Sequence, residues 1–209
     1  MNRIAIAGLA AASLALSACS SLGAGEDGFS NYAPVQVKRV SVGDGTMSVV
    51  PPRPWNRVRP LNFADIRVVE DWTLNGPYLD GISFVSGLKN DRYLVYQRRT
   101  TSQQVPKFRS NMTPPEIAAM IESLFRVRGG AIEYRTLGIA PRPFLGAANG
   151  FQYDYEHLDT DELWRKGRAV GAVIDGRLYL ILMDAARSHY YAATLQDFEA
   201  IVASAQYRG

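Results

Sequence analysis

Arg168-Ala169-Val170-Gly171-Ala172-Val173-Ile174-Asp175-Gly176-Arg177-Leu178-Tyr179-Leu180-Ile181-Leu182-Met183 is the stretch that decides the fold. Asp-Gly is favoured at the centre of a type I′ hairpin turn, where both residues need positive φ. Folding the chain back at Asp175-Gly176 sets Ile174 against Arg177, Val173 against Leu178 and Gly171 against Leu180. The second arm, Leu178 to Met183, is apolar at every position. A strand with one wet face would alternate, so this one belongs in mid-sheet, covered on both sides.

Working outward, the hairpin is the end of a longer antiparallel run. Phe151, Tyr153 and Tyr155 alternate with Gln152, Asp154 and Glu156 behind an Asn149-Gly150 turn signal. Before that, Ile132, Tyr134 and Thr136 alternate with Glu133 and Arg135. The N-terminal half holds a short strand at Met47–Val50, stopped by Pro51, Pro52 and Pro54. Arg67 to Leu74 reads as a second strand, Asn75-Gly76-Pro77 as a turn, Ile82 to Val85 as the returning strand, and Arg92 to Gln97 as a further one.

Two helices complete the pattern. Thr113-Pro114-Pro115-Glu116 is a capping box with proline at the first helical position. Ile117, Met120, Ile121, Leu124 and Phe125 then form one apolar face, and Gly129-Gly130 offers a left-handed exit. Thr194-Leu195-Gln196-Asp197 signals the start of the second helix, whose stripe is Leu195, Phe198, Ile201, Val202 and Ala205. Helix stripes must bury against something, and a twisted antiparallel sheet is what the hairpins supply. The fold class is α+β, with helices packed on the faces of the sheet.

The N-terminus carries a different message. Arg3 precedes an unbroken run of apolar and small residues from Ile4 to Ala18. Such a run falls short of the ~20 residues a membrane-spanning helix needs, and it reads as a secretory signal. It ends in Leu16-Ser17-Ala18-Cys19, and Cys19 is the sole cysteine. These four residues resemble the bacterial lipobox. The resemblance implies cleavage before Cys19, diacylglycerol on its thiol and acylation of the new N-terminus. The alternative is an ordinary secretory signal that happens to hold a cysteine. Similarity to the sorting rule of enterobacterial lipoproteins, with Ser20 where Asp would retain the protein in the inner membrane, points to the outer membrane. The expected organisation is residues 1–18 as signal peptide, 19–37 as lipidated cysteine and flexible tether, and 38–209 as one globular domain.

Composition narrows the function. The formal net charge is +3, with 23 basic against 20 acidic residues, too balanced to argue for nucleic acid. A single cysteine excludes an internal disulfide and any multi-cysteine metal site, and lipidation would leave no thiol for catalysis. Gly23-Ala24-Gly25-Glu26-Asp27-Gly28 spells a dinucleotide fingerprint but lacks the strand before it and the helix after it, so it reads as tether. The two histidines, His157 and His189, cannot build a three-ligand zinc site without carboxylates. His157 is expected in a solvated loop at the end of a strand. No metal ion or cofactor is implied.

The polar cluster that follows the apolar strand, Asp184-Ala185-Ala186-Arg187-Ser188-His189-Tyr190-Tyr191, is the first candidate site. Loops at strand ends on a rigid scaffold often carry binding residues. Asp184, Arg187 and His189, with Tyr190, could form an acid–base or anion-binding set; alternatively Asp184 and Arg187 satisfy the loop and each other. Trp72 beside Asn75 and Gly76 is the second candidate, with an ordinary core tryptophan as the other reading. Arg98-Arg99, and Arg126 with Arg128, either face lipid or lipopolysaccharide phosphates or form a solvated surface.

Several segments together resemble a known group. Pro51-Pro52-Arg53-Pro54-Trp55, Glu70-Asp71-Trp72-Thr73-Leu74-Asn75-Gly76-Pro77, Gly176-Arg177-Leu178-Tyr179-Leu180-Ile181 and Phe198-Glu199-Ala200-Ile201-Val202-Ala203-Ser204-Ala205 are similar to uncharacterised proteobacterial envelope lipoproteins. More distantly, the order of elements resembles the PsbP-like fold, an α/β/α sandwich. PsbP-like proteins are mostly non-catalytic binding or assembly factors. The resemblance implies a non-enzymatic lipoprotein on the periplasmic face of the outer membrane, with an envelope protein or peptidoglycan as partner. The competing expectation is a hydrolase or transferase built around Asp184 and His189.

Overall fold

The computed structural model describes residues 32–58, 68–95 and 105–208. The signal, the lipobox with Cys19, the glycine fingerprint and Arg98-Arg99 lie outside the described residues. The elements in chain order are β1 (Tyr32–Val35), β2 (Val40–Val42), β3 (Met47–Val49), β4 (Trp55–Val58), β5 (Val69–Thr73), β6 (Asp80–Leu88), α1 (Pro114–Leu124), β7 (Ala131–Pro141), β8 (Phe151–Asp159), β9 (Trp164–Ile174), β10 (Arg177–Ala186), α2 (Tyr190–Ser204) and β11 (Gln206–Tyr207). A π turn, Phe125–Gly129, continues α1.

Eight strands form one antiparallel sheet in the order β1-β4-β5-β6-β10-β9-β8-β7, and β11-β3-β2 make a small second sheet. The β9–β10 hairpin has the register that its turn dictates: Ile174 opposes Arg177, Val173 opposes Leu178 and Gly171 opposes Leu180. Asp175 and Gly176 both take positive φ, 49° and 71°. β10 is internal, with β6 on one side and β9 on the other, and Leu178 to Met183 are all buried. Tyr153, Tyr155, Leu180 and Leu182 pack on one face with Ile117 and Ile121 of α1. Trp72, Ile82, Phe84, Ile181 and Met183 pack on the other with Phe198 and Ile201 of α2, together with Val42 and Met47 of the small sheet. The result is the expected α+β sandwich.

The local signals held at α1 and failed in four other places. Glu116 accepts hydrogen bonds from the Thr113 backbone N–H at 2.7 Å and from the Thr113 hydroxyl at 2.9 Å. Gly130 leaves the π turn at φ 77°. Strand pairing is already present ahead of Lys38, because Tyr32–Val35 pairs with β4 and buries Val35 opposite Trp55. The stretch Arg92–Val95 makes a single bridge, Arg92 to Phe108, instead of a strand, and the rest of that segment is not described. Helix α2 begins at Tyr190, because Thr194 and Asp197 are buried on its inner face, where Asp197 accepts the Arg53 Nε–H at 2.5 Å. A bulge between Ala131 and Glu133 turns Ile132 outward, 59 % exposed, out of step with Tyr134.

Candidate functional site

The end of the sheet where β8 stops, β9 starts and β10 runs into α2 gathers most of the polar candidates. Backbone bonds tie its loops together, from Arg187 N–H to the Trp164 carbonyl at 2.9 Å and from Ala186 N–H to the Leu79 carbonyl at 2.9 Å. Different side chains occupy the two faces of the sheet there.

On the α1 face lies a buried ionic cluster centred on His157. The alternation of Phe151, Tyr153 and Tyr155 continues through His157 to Asp159, and all five side chains point inward. His157 is 1 % exposed, so the expected loop histidine is a core residue of β8. Its Nδ1 lies 2.7 Å from Asp159 Oδ1 and its Nε2 lies 3.0 Å from Asp184 Oδ1. Bonds from both ring nitrogens to carboxylates are the arrangement of an imidazolium, in which each nitrogen donates. Burial opposes that charge, but the bonds and charges of Asp184 and Asp159 outweigh it and raise the His157 pKa above its ordinary value. Arg165, also buried, donates from Nε to Asp159 at 2.6 Å and from Nη2 to Asp161 at 2.8 Å, and its Nη1 donates to the Tyr78 carbonyl.

A glycine makes room for this cluster. Asp184 stands in β10 between Gly81 of β6 and Gly167 of β9. A Cβ on Gly167 would sit 2.1 Å from the ring of Tyr155. With no side chain there, Tyr155 lies across β9 and its hydroxyl donates to the Met183 carbonyl at 3.2 Å. Aromatic rings close over the imidazolium: Phe125 of the π turn at 4.6 Å between centroids, Tyr134 at 6.0 Å and Tyr155 at 6.1 Å. Phe125 lies well within the distance at which a ring face attracts a cation.

On the opposite face the charges are half-exposed. Trp164 is flanked by the guanidinium of Arg135 at 4.5 Å and that of Arg187 at 5.1 Å. Both arginines pair with Glu156, at 3.1 and 3.4 Å. Further along the face, Arg168 bridges Asp154 and Glu199 at 2.6 and 2.8 Å, and Arg142 adds a second bond to Glu199 at 2.6 Å. This network fastens α2 to β8 and β9.

The sequence candidates are therefore divided. Asp184 takes His157 as its imidazole partner, whereas His189 is exposed and stands edge-on to Tyr190 at 5.1 Å. Arg187 pairs with Glu156 and not with Asp184. Trp72 is buried, with its indole N–H donated to Glu70 at 2.7 Å, and Asn75 donates to the buried carboxylate of Asp80. Arg126 pairs with Glu122 at 2.7 Å. Among the described residues no group of three or more His, Cys, Asp or Glu side chains is placed to hold a metal ion. His157 and Arg165 were the residues missed. The signal for His157 was the β8 alternation, which runs two steps further than Tyr155.

A cleft of about 700 Å³ opens elsewhere, between the start of α1 (Pro114, Ile117), the end of β7 (Ile139, Pro141), Phe151 and Val173. It adjoins the outer strand β7, which leaves Leu137 48 % and Ile139 38 % exposed.

No protein-family model matches this sequence, and no curated protein matches it. Among solved structures it is similar to the cyanobacterial PsbP protein CyanoP from Synechocystis sp. PCC 6803, with a TM-score of 0.54 and 14 % identity over 86 % of this chain and 95 % of that one. The Ran-binding protein Mog1p of Saccharomyces cerevisiae aligns with a TM-score of 0.46 and 9 % identity, over 85 % of this chain and 95 % of that one. LpqN, involved in cell envelope biogenesis of Mycobacterium tuberculosis, aligns with a TM-score of 0.35 and 10 % identity, over 87 % of this chain and 88 % of that one. The last two scores carry no argument about this chain. The likeness to CyanoP concerns architecture alone, and it shows a PsbP-like fold.

Proposed function

We propose that this protein is a non-enzymatic, lipid-anchored module of the bacterial envelope, held at the periplasmic face of the outer membrane by acylated Cys19, where it binds or helps to assemble an envelope protein. Leu16-Ser17-Ala18-Cys19 behind a short apolar leader carries the anchoring half of this reading. Three acyl groups would exceed the two signals that stable attachment requires. The tether of this reading lies ahead of β1, which is already paired at Tyr32. For the binding half, β7 is an outer strand of eleven residues, and the cleft at its end is lined by apolar side chains. An added strand gains main-chain bonds from an edge, and a neighbouring cleft selects its side chains. Arg187, His189 and Tyr190 are a second patch for the same partner.

Labelled palmitate in growing cells tests the anchor. The native chain takes up label and fractionates with membrane, while Cys19→Ser loses the label and appears in soluble periplasm. A membrane-bound, unlabelled Cys19→Ser protein overturns the anchor. Crosslinking in intact cells followed by mass spectrometry tests the partner. The expected result is an envelope protein joined to β7 or to the patch around Arg187; retention on isolated sacculi alone would replace it with a peptidoglycan spacer.

A further inference from the structure

We infer that the Asp159–His157–Asp184 bridge is a proton-dependent latch: the charged imidazole pins the π turn Phe125–Gly129 to the sheet, and loss of one ring proton releases it. The π segment closes the C-terminal end of α1. It ends in Gly129-Gly130, with Gly130 at φ 77°, a joint the chain can turn about. The turn's apolar contact with the cluster is the Phe125 ring, 4.6 Å from the imidazolium.

The charges facing His157 come from every element around it. Asp159 is on its own strand β8, Asp184 on β10, Arg165 on β9, and Asp161 lies in the β8–β9 turn. Tyr134 of β7 and Tyr155 of β8 stack near it, with burial holding both phenols neutral. Beyond Tyr134 stand Arg126, 5.9 Å from its ring, and Glu122, paired with each other.

The proton that leaves is the one on Nε2. Asp159 is held a second time by Arg165, whereas among the described residues Asp184 has no second ionic partner, and its side chain is the more exposed, 21 % against 13 %. Once Nε2 is bare, its lone pair faces the Asp184 carboxylate, and that side chain turns to water. The ring under Phe125 becomes neutral, and the π turn keeps only its packing, chiefly Phe125 on Tyr155 at 5.2 Å and on Tyr134 at 6.0 Å.

The sign follows from linkage. A histidine charged more readily in the closed state than in the open one stabilises closure fully below about pH 6.5, the open-state value. Above it the closing equilibrium constant falls about tenfold per pH unit, levelling off past the closed-state titration point. The test is backbone amide exchange on the full chain in detergent from pH 5.5 to 9, corrected for intrinsic rates, with the His157 ring charge read from its nitrogen shifts. The expected result is a ring protonated on both nitrogens at pH 6. Protection at residues 125–130 then falls with that slope while β10 stays protected. Asp184→Asn should move the step to lower pH, and His157→Gln should abolish it. A singly protonated ring at pH 6, or a ring that titrates without any change at residues 125–130, overturns the latch. So does a step that Asp184→Asn leaves in place, a measurement that stands even where His157→Gln does not fold.

Discussion

The two faces of the sheet near β8 carry ionic networks of similar size and opposite setting. On the α1 face His157, Arg165 and Asp159 are buried, with Asp184 at their margin; on the α2 face Arg142, Arg168, Asp154 and Glu199 lie part-way in water. Bond lengths do not tell them apart, since both contain contacts of 2.6 Å. Burial does. A sealed group stripped of its partner keeps a desolvated charge, whereas an exposed one is rehydrated.

The sharpest way to break this contrast is Asp159→Ala, which leaves both His157 and Arg165 short of a carboxylate. It should cost about 3–5 kcal/mol in denaturant unfolding. Gly167→Ala adds no charge but drives a methyl into the Tyr155 ring, and a loss of about 1–3 kcal/mol is expected. Glu199→Gln cuts the exposed network at its centre and should cost no more than about 1 kcal/mol, shrinking further in 1 M salt. Arg126→Gln removes a helix-surface pair and should change stability by a few tenths of a kcal/mol.

Acidity separates the faces by sign. His157 is raised, so its contribution is whole in mild acid and fades above about pH 6.5. Glu199, although burial pushes its pKa up, is pulled below its ordinary value by Arg142 and Arg168. Its contribution is present above about pH 4.5 and fades as the solution becomes more acidic. Thermal melts from pH 3 to 9 should decline at both ends. His157→Gln should flatten the alkaline limb alone, and Glu199→Gln should reduce only the acid one.

Much of this architecture was legible because turn chemistry pins register. Asp175-Gly176 fixes every pair along β9 and β10, and the all-apolar run in β10 fixes its place inside the sheet. The buried cluster was less legible. His157 and Asp159 extend a visible alternation, but their partner Asp184 arrives across Gly167 from another strand, and no local pattern announces that meeting. The polar look of Thr194 and Asp197 misled for a related reason, since a tertiary contact with Arg53 outweighs a capping preference. Ile132 went astray through a bulge, which inserts one residue and shifts the alternation around it.

Strand order has a consequence for how the chain comes together. β7 to β10 lie side by side in chain order, each pairing with the next, so they can zip up as successive hairpins with short loops to close. β6 must instead find β10 across about a hundred intervening positions, and β1, β4 and β5 reach the sheet only through β6. A ribosome making this polypeptide finishes the front portion long before the seam that will receive it exists. The newborn N-terminal half must wait, unsheltered, for its docking strand to be synthesised.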